Sequence, residues 1–291
     1  MYSEISKNKR NTFIIMMIFM LVIAGLGYIM SVVYGSVGIF WGTLVGASVY
    51  TLIQYFAAAK MALGLNGAKE IQKKDNPRLY RIVENLAITE GMPMPKVYVM
   101  NDPAPNAFAT GRDPQHAHVA ATTGILELMS DRELEAVMAH EMGHVKNYDI
   151  RVMMIVFGLV SAIGLIADMI THIFWFGNSD SRPSNPIFLI LAIVAALIAP
   201  LVALLVQAAV SRQREYLADA SGALTTRDPE ALASALEKLG SSNTAMKQQN
   251  TSTAHLFFAN PLKKSSFVNA FSTHPPIEKR VARLRAMGDK F

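Results

Sequence analysis

Two histidines four residues apart bracket a glutamate in VMAHEMGHVKNYD, as His140-Glu141-x-x-His144. On a helix those histidines are neighbours on one face, with Cβ atoms about 5 to 6 Å apart, so two ring nitrogens can grip one ion. Glu141 stands one step around, where its carboxylate reaches a water on that ion without displacing it. The chemistry of such a set is hydrolysis: a metal polarises a carbonyl and lowers the pKa of water toward neutrality, and a carboxylate takes the proton and passes it to the leaving amine. Two imidazoles are one donor short, because a catalytic zinc usually takes three protein groups and keeps one position open. The metzincin pattern would put a third histidine six residues after His144, and that position holds Ile150.

Another element has to bring the missing donor, and composition shows which elements exist. Of the 291 residues 52% are apolar and 17% charged, and from Asn11 to Ala59 there is no Asp, Glu, Lys or Arg. A bilayer core needs roughly 20 apolar residues per helix, so this run fits two spans joined at YGSVG. A cleaved signal peptide is the alternative for the first segment, but the run exceeds an h-region and no A-x-A site follows. Residues 152 to 176 and 186 to 210 form a second apolar pair around the connector GNSDSRPSN. Four spans leave both termini on one side. The tail carries Lys7, Lys9 and Arg10, the first connector carries no charge, and the second carries only Arg182 against Asp180. The positive-inside rule therefore puts both termini, and the body formed by residues 60 to 151 and 212 to 291, in the cytoplasm.

The formal net charge of +5 reads as membrane orientation, and no aromatic interleaving or basic motif suggests nucleic acid. The chain has no Cys, hence no disulfides, which suits a cytoplasmic face. Asp168 lies roughly 28 Å along a helix from Asp149, a depth that with His172 one turn on favours an interfacial anchor over a proton relay.

In the body, Asn76 and Pro77 open a helix with Leu79, Ile82 and Leu86 at helical spacing. PKVYVMND and AHVAATTG look like short strands, separated by PAPNAFATGRDPQ with turn residues at both ends. Ser130 and Glu133 form a capping box that starts the helix of the two histidines. After the last span SRQREYLADASGAL continues helical, DPEALASALEKLG begins at Asp228 and Pro229, and HPPIEKRVARLRAM gives a final helix. Residues 241 to 273 take no assignment. Glu215, five residues past the last span, is the best-placed acid, with Asp219 one turn further. Val210 to Glu215 is about 7 to 8 Å of helix and His144 to Arg151 about 10 Å, so both reach a similar height above the membrane if the helices run straight. The second hairpin then delivers the third ligand.

The pattern His140-Glu141-x-x-His144-x-x-x-x-Asp149, REYLADA with Glu215 and Asp219, NAFATG at 106 to 111 and STHPP at 272 to 276 resembles, in order and over nearly the whole chain, the HtpX group of bacterial membrane zinc endopeptidases, relatives of the CAAX prenyl endopeptidases. The resemblance implies one Zn2+ per chain on His140, His144 and Glu215, with Glu141 as catalytic base and His274 as a transition-state stabiliser. Asp149 and Asp219 would orient the ligand imidazoles. A substrate backbone would lie along Asn106, Ala107, Phe108 and Ala109, and Arg280 joins the substrate-binding candidates. From the residues alone Asp149 has a surface acid as its alternative, while ordinary turn and sheet is the default for Asn106 and its strand, a structural role for His274 and solvated surface for Arg280.

The implied fold is a mainly α integral membrane protein with four transmembrane helices and a cytoplasmic α+β, gluzincin-like metalloprotease domain containing a small sheet. Its parts are 1–59 (tail and first hairpin), 60–151 (catalytic part with the histidine helix), 152–211 (second hairpin) and 212–291 (catalytic part with the third ligand). The implied function is hydrolysis of misfolded or damaged membrane proteins at the cytoplasmic face of the bacterial inner membrane under stress. The partners implied are those substrates, unfolded polypeptides, the lipid bilayer and other quality-control proteases. An intramembrane protease is disfavoured because DRELEAVMAHEMGHVKNYD is too polar to span. A transporter or scaffold with a structural zinc would close all four positions, usually with Cys, which the chain lacks.

Overall fold

The computed structural model describes residues 2–159, 212–242, 244–247, 253, 256–259 and 275–288. The charge-free run becomes two packed helices, α1 (Tyr2–Tyr34) and α2 (Val37–Leu65). Between them Gly35 takes a φ of 63°, a left-handed conformation that costs glycine nothing, so the turn needs only two residues. Both helices are long and apolar enough to cross a membrane. They keep Phe13, Leu21, Val45 and Leu52 exposed, apolar surface that water penalises and lipid does not. The second expected hairpin, with Asp168 and His172, falls on residues 160 to 211 and lies outside the described residues. Its first turns are described: Val152, Val156 and Leu159 are buried against Ile15 and Phe19 of α1.

The body follows as β1 (Ala68–Glu70), α3 (Pro77–Glu90), β2 (Lys96–Met100), β3 (Ala107–Gly111), β4 (Ala117–Thr122), α4 (Thr123–Leu128) and α5 (Asp131–Lys146). A further helical stretch, here α6, runs over 149–159. After the undescribed residues come α7 (Arg212–Thr226), α8 (Pro229–Ser241) and α9 (Ile277–Gly288). Asn76 caps α3 by accepting from the Leu79 N–H at 3.0 Å, and Asp228 caps α8 by accepting from Ala231 N–H at 3.0 Å. The strands form one sheet in the order β1-β2-β4-β3, with β2 and β4 parallel and the outer pairs antiparallel. The sheet packs on α5, and Val97, Phe108, Val119, Leu134 and Val137 belong to one continuous buried core. Among the described strands β3 lies at one edge of the sheet, yet all five of its residues are buried.

The helix of the histidines does not run straight to the membrane. α5 stops at Lys146, and Tyr148 adopts a φ of 62°, which breaks the helix before α6 begins at residue 149. A bulky residue in that conformation is uncommon and has to be held. Lys9 of α1 and Arg151 of α6 both lie over the Tyr148 ring, 4.7 and 4.8 Å from its centroid. His144 and Arg151 are therefore not joined by the straight helix of about 10 Å expected from the sequence.

Candidate metal centre

α5 begins with the capping box foreseen: the Ser130 N–H donates to the Glu133 carboxylate at 2.8 Å, and Ser130 Oγ caps Glu133 N–H in return. Glu133 also accepts from Ser234 at 2.6 Å and Lys238 at 2.7 Å, both on α8, so the cap fixes how α5 is rotated in the body. That rotation turns His140, Glu141 and His144 inward, where they are 1%, 2% and 5% exposed.

Each imidazole is met from behind by a carboxylate. His140 Nδ1 lies 3.0 Å from Asp219 Oδ1, and His144 Nδ1 lies 3.0 Å from Asp149 Oδ2. With Nδ1–H assigned to those carboxylates, each Nε2 offers its lone pair on the other side. The two Nε2 atoms are 3.2 Å apart, and the Glu215 oxygens are 3.5 Å from His144 Nε2 and 3.9 Å from His140 Nε2. The donor atoms of the three residues all lie within 4.8 Å of one another. Two imidazole nitrogens and one carboxylate aimed at one point match a small divalent cation and suit zinc.

The electrostatics agree. Burial pushes His140 down to about 4 against the pull of Asp219. At His144 burial also pushes down, but Asp149 and Glu215 outweigh it and bring the imidazole to about 9. Near neutrality the pair therefore holds one proton, on His144. Burial pushes Glu141 up to about 7; His144 opposes this, Glu215 adds to it, and the Ala109 N–H opposes it by donating to the carboxylate. A carboxylate that titrates near neutrality is matched to general-base work.

Behind the carboxylates lies a second set of contacts that sequence reasoning missed. Arg280 of α9 is 1% exposed and grips Asp219 bidentately, Nε to Oδ2 at 2.8 Å and an outer nitrogen to Oδ1 at 2.6 Å. It also stands 3.6 Å from Glu215 Oε2, so its guanidinium sits behind the ligands and among them. Asn8 of α1, also buried, donates to Asp149 Oδ1 at 2.7 Å and to the Asn147 carbonyl at 2.8 Å. Neither pairing leaves a periodic trace in the sequence. α7, which carries Glu215 and Asp219, crosses α5 at very short range. A Cβ on Gly222 would come within 2.9 Å of the His140 backbone nitrogen.

β3 reaches the centre at Ala109, whose N–H faces Glu141. Its other end is occupied by the chain itself. The Phe258 N–H donates to the Ala107 carbonyl at 2.8 Å, and Phe108 bridges Phe257 in antiparallel fashion. Asn106 clamps Ala259 by donating to its carbonyl at 2.8 Å and accepting from its N–H at 3.1 Å. The Phe258 ring stands edge-on to His140, with centroids 4.8 Å apart, and Arg280 lies over its face at 4.9 Å. His274 lies outside the described residues.

Residues 73–288 match the family model described as Peptidase family M48. The chain is 53% identical to the protease HtpX homolog of Tropheryma whipplei (strain Twist) over all of both chains. It is 46% identical to that of Lactobacillus helveticus (strain DPC 4571), and 40% to that of Streptococcus pneumoniae (strain Hungary19A-6), covering 99% of this chain and 100% of each relative. Among solved structures, the crystal structure of S. mikatae Ste24p has a similar fold, with a TM-score of 0.50 at 20% identity. That likeness covers 93% of this chain and 62% of Ste24p.

Proposed function

The chain belongs to peptidase family M48, and from that premise we propose that it is a membrane-anchored zinc endopeptidase. We place it in the bacterial cytoplasmic membrane, with both termini and the catalytic body in the cytoplasm, acting on misfolded or damaged membrane proteins. The observation that carries this reading is the convergence of His140 Nε2, His144 Nε2 and the Glu215 carboxylate on one point, with Glu141 buried beside it and held by the backbone of an edge strand.

A zinc ion on those three side chains would supply Lewis acidity toward a scissile carbonyl and acidify water. The chain's own residues do the rest. Glu141, titrating near 7, accepts the proton and returns it to the leaving amine. Asp219 and Asp149 fix the orientation and tautomer of the ligand imidazoles. An extended peptide would pair with β3 around Ala109, so backbone contacts would dominate binding and selectivity for side chains would be modest. His274 is the proposed transition-state donor, on the strength of the resemblance, and Arg280 positions Asp219 and Glu215. The exposed apolar faces of α1 and α2 support a bilayer as the environment. From there membrane-protein tails and loops are within reach, and other quality-control proteases would share these substrates.

Detergent-purified protein should cleave casein, lose the activity on chelation and regain it with zinc. Glu141→Gln should retain zinc and lose at least about 100-fold in rate. Equal cleavage by wild type and variant would refute the protease reading.

A further inference from the structure

Where α2 leaves the charge-free run, a cavity of about 580 Å³ opens between that helix and the sheet. Tyr55, Phe56 and Met154 line it. Lys60, the first charged residue after the run, and Arg112 line it as well. The acids nearby are already engaged: Glu70 accepts from Lys96 at 3.0 Å and from the Tyr98 hydroxyl at 3.1 Å, and Asp113 accepts from His116 at 2.6 Å. Lys60 makes no ion pair among the described residues, and Arg112 reaches Asp113 only at 3.6 Å while lying over the Phe56 ring. His118, also in the wall, has a buried Nδ1 with no hydrogen-bond partner among the described residues. The cavity thus has two under-neutralised cations and an orphaned imidazole nitrogen at the level where lipid headgroups would lie.

The same helix supplies the apolar half of a site. Val45, Val49, Leu52 and Phe56 recur at spacings of four, three and four, and Lys60 follows four residues on. They share one face of α2 and are 60%, 50%, 60% and 57% exposed. From Val45 to Lys60 is about 22 Å of helix, more than the half-thickness of about 15 Å of a bilayer core, so one leaflet's acyl chain fits along the row. We propose that this cavity binds the phosphodiester headgroup of an anionic glycerophospholipid between Lys60 and Arg112, with an acyl chain along Val45, Val49, Leu52 and Phe56. A free phosphate offers the same anionic chemistry without the tail; the exposed row on α2 favours the lipid. The site rests on α2 spanning a bilayer, and flotation of the full chain with neutral phosphatidylcholine vesicles tests that premise separately.

The test is retention of labelled phosphatidylglycerol by delipidated full-length protein in detergent. Wild type should retain it at least about fivefold over phosphatidylcholine, and Lys60→Gln/Arg112→Gln should lose that preference while keeping its melting temperature. Lys69→Gln/Lys74→Gln, which removes two exposed cations outside the cavity, should leave the preference intact. Three results would overturn the site: the cavity variant keeping the preference, the outer variant losing it equally, or millimolar inorganic phosphate displacing the lipid completely.

Discussion

Asp219 holds His140 in place only because Arg280 holds Asp219. A carboxylate so deeply buried needs a fixed partner, and the bidentate guanidinium keeps Asp219 below the usual carboxylate range in spite of burial, which pushes the other way. Asp219→Asn should weaken zinc about 10- to 100-fold in a chelator competition, because the imidazole loses its charged acceptor; unchanged affinity would show that Asp219 does not orient the ligand. Arg280→Met strands a buried acid and should cost about 3 to 5 kcal/mol, seen as a lower melting temperature. A variant that melts normally and shows only a raised KM would mean that Arg280 meets substrate. At this scale the sequence was informative unevenly. His140, Glu141 and His144 are legible because helix geometry turns a four-residue spacing into a shared face, and Glu215 became a candidate through its height above the membrane. Arg280 reads as ordinary surface, since nothing in its neighbourhood reports a partner sixty-one residues away.

The distance between α5 and α7 sets whether three ligands meet, since two are on one helix and the third on the other. Gly222 lets that crossing close. A methyl group there would press on the His140 backbone at 2.9 Å, whereas one at Gly143 would find its nearest neighbour, Ala218, at an ordinary 3.5 Å. Gly222→Ala should therefore push α7 outward. Overpacking of about 1 to 3 kcal/mol would outweigh the roughly 1 kcal/mol that alanine gains in helix propensity. Zinc affinity and cleavage should both fall, with Gly143→Ala close to wild type; equal behaviour of the two variants would show that the crossing does not govern the site. Helix starts were legible because capping is local chemistry: Asn76, Ser130 and Asp228 each sit where their side chain accepts from the first turn. β1 and α4 were not, being three and six residues long with too little pattern to show a period. The break at Tyr148 was hidden as well, because tyrosine has no preference for the left-handed region and is held there by cations from two other segments.

At the scale of the whole molecule, the first hairpin was plain in composition, since so long an apolar run without a charge is costly to keep in water and at home in lipid, and the small sheet was visible in part as PKVYVMND and AHVAATTG. What composition could not show is how the hairpin joins the body. α1 reaches past the apolar run, and its Asn8 donates to Asp149, the same carboxylate that orients His144. Asn8→Leu should lower zinc affinity by about 10-fold or more, because Asp149 loses a hydrogen bond from a neighbour that holds it against His144, an interaction of about 1.5 to 3 kcal/mol with a buried charge. Calorimetric titration that gives the wild-type affinity would refute the link. A boundary after residue 59 divides anchor from enzyme only on paper. A soluble fragment beginning at residue 60 would lack Asn8 and its contact with Asp149, and a bulky fusion at the amino terminus would press on that carboxylate, which backs the candidate ligand His144 more than a hundred residues downstream.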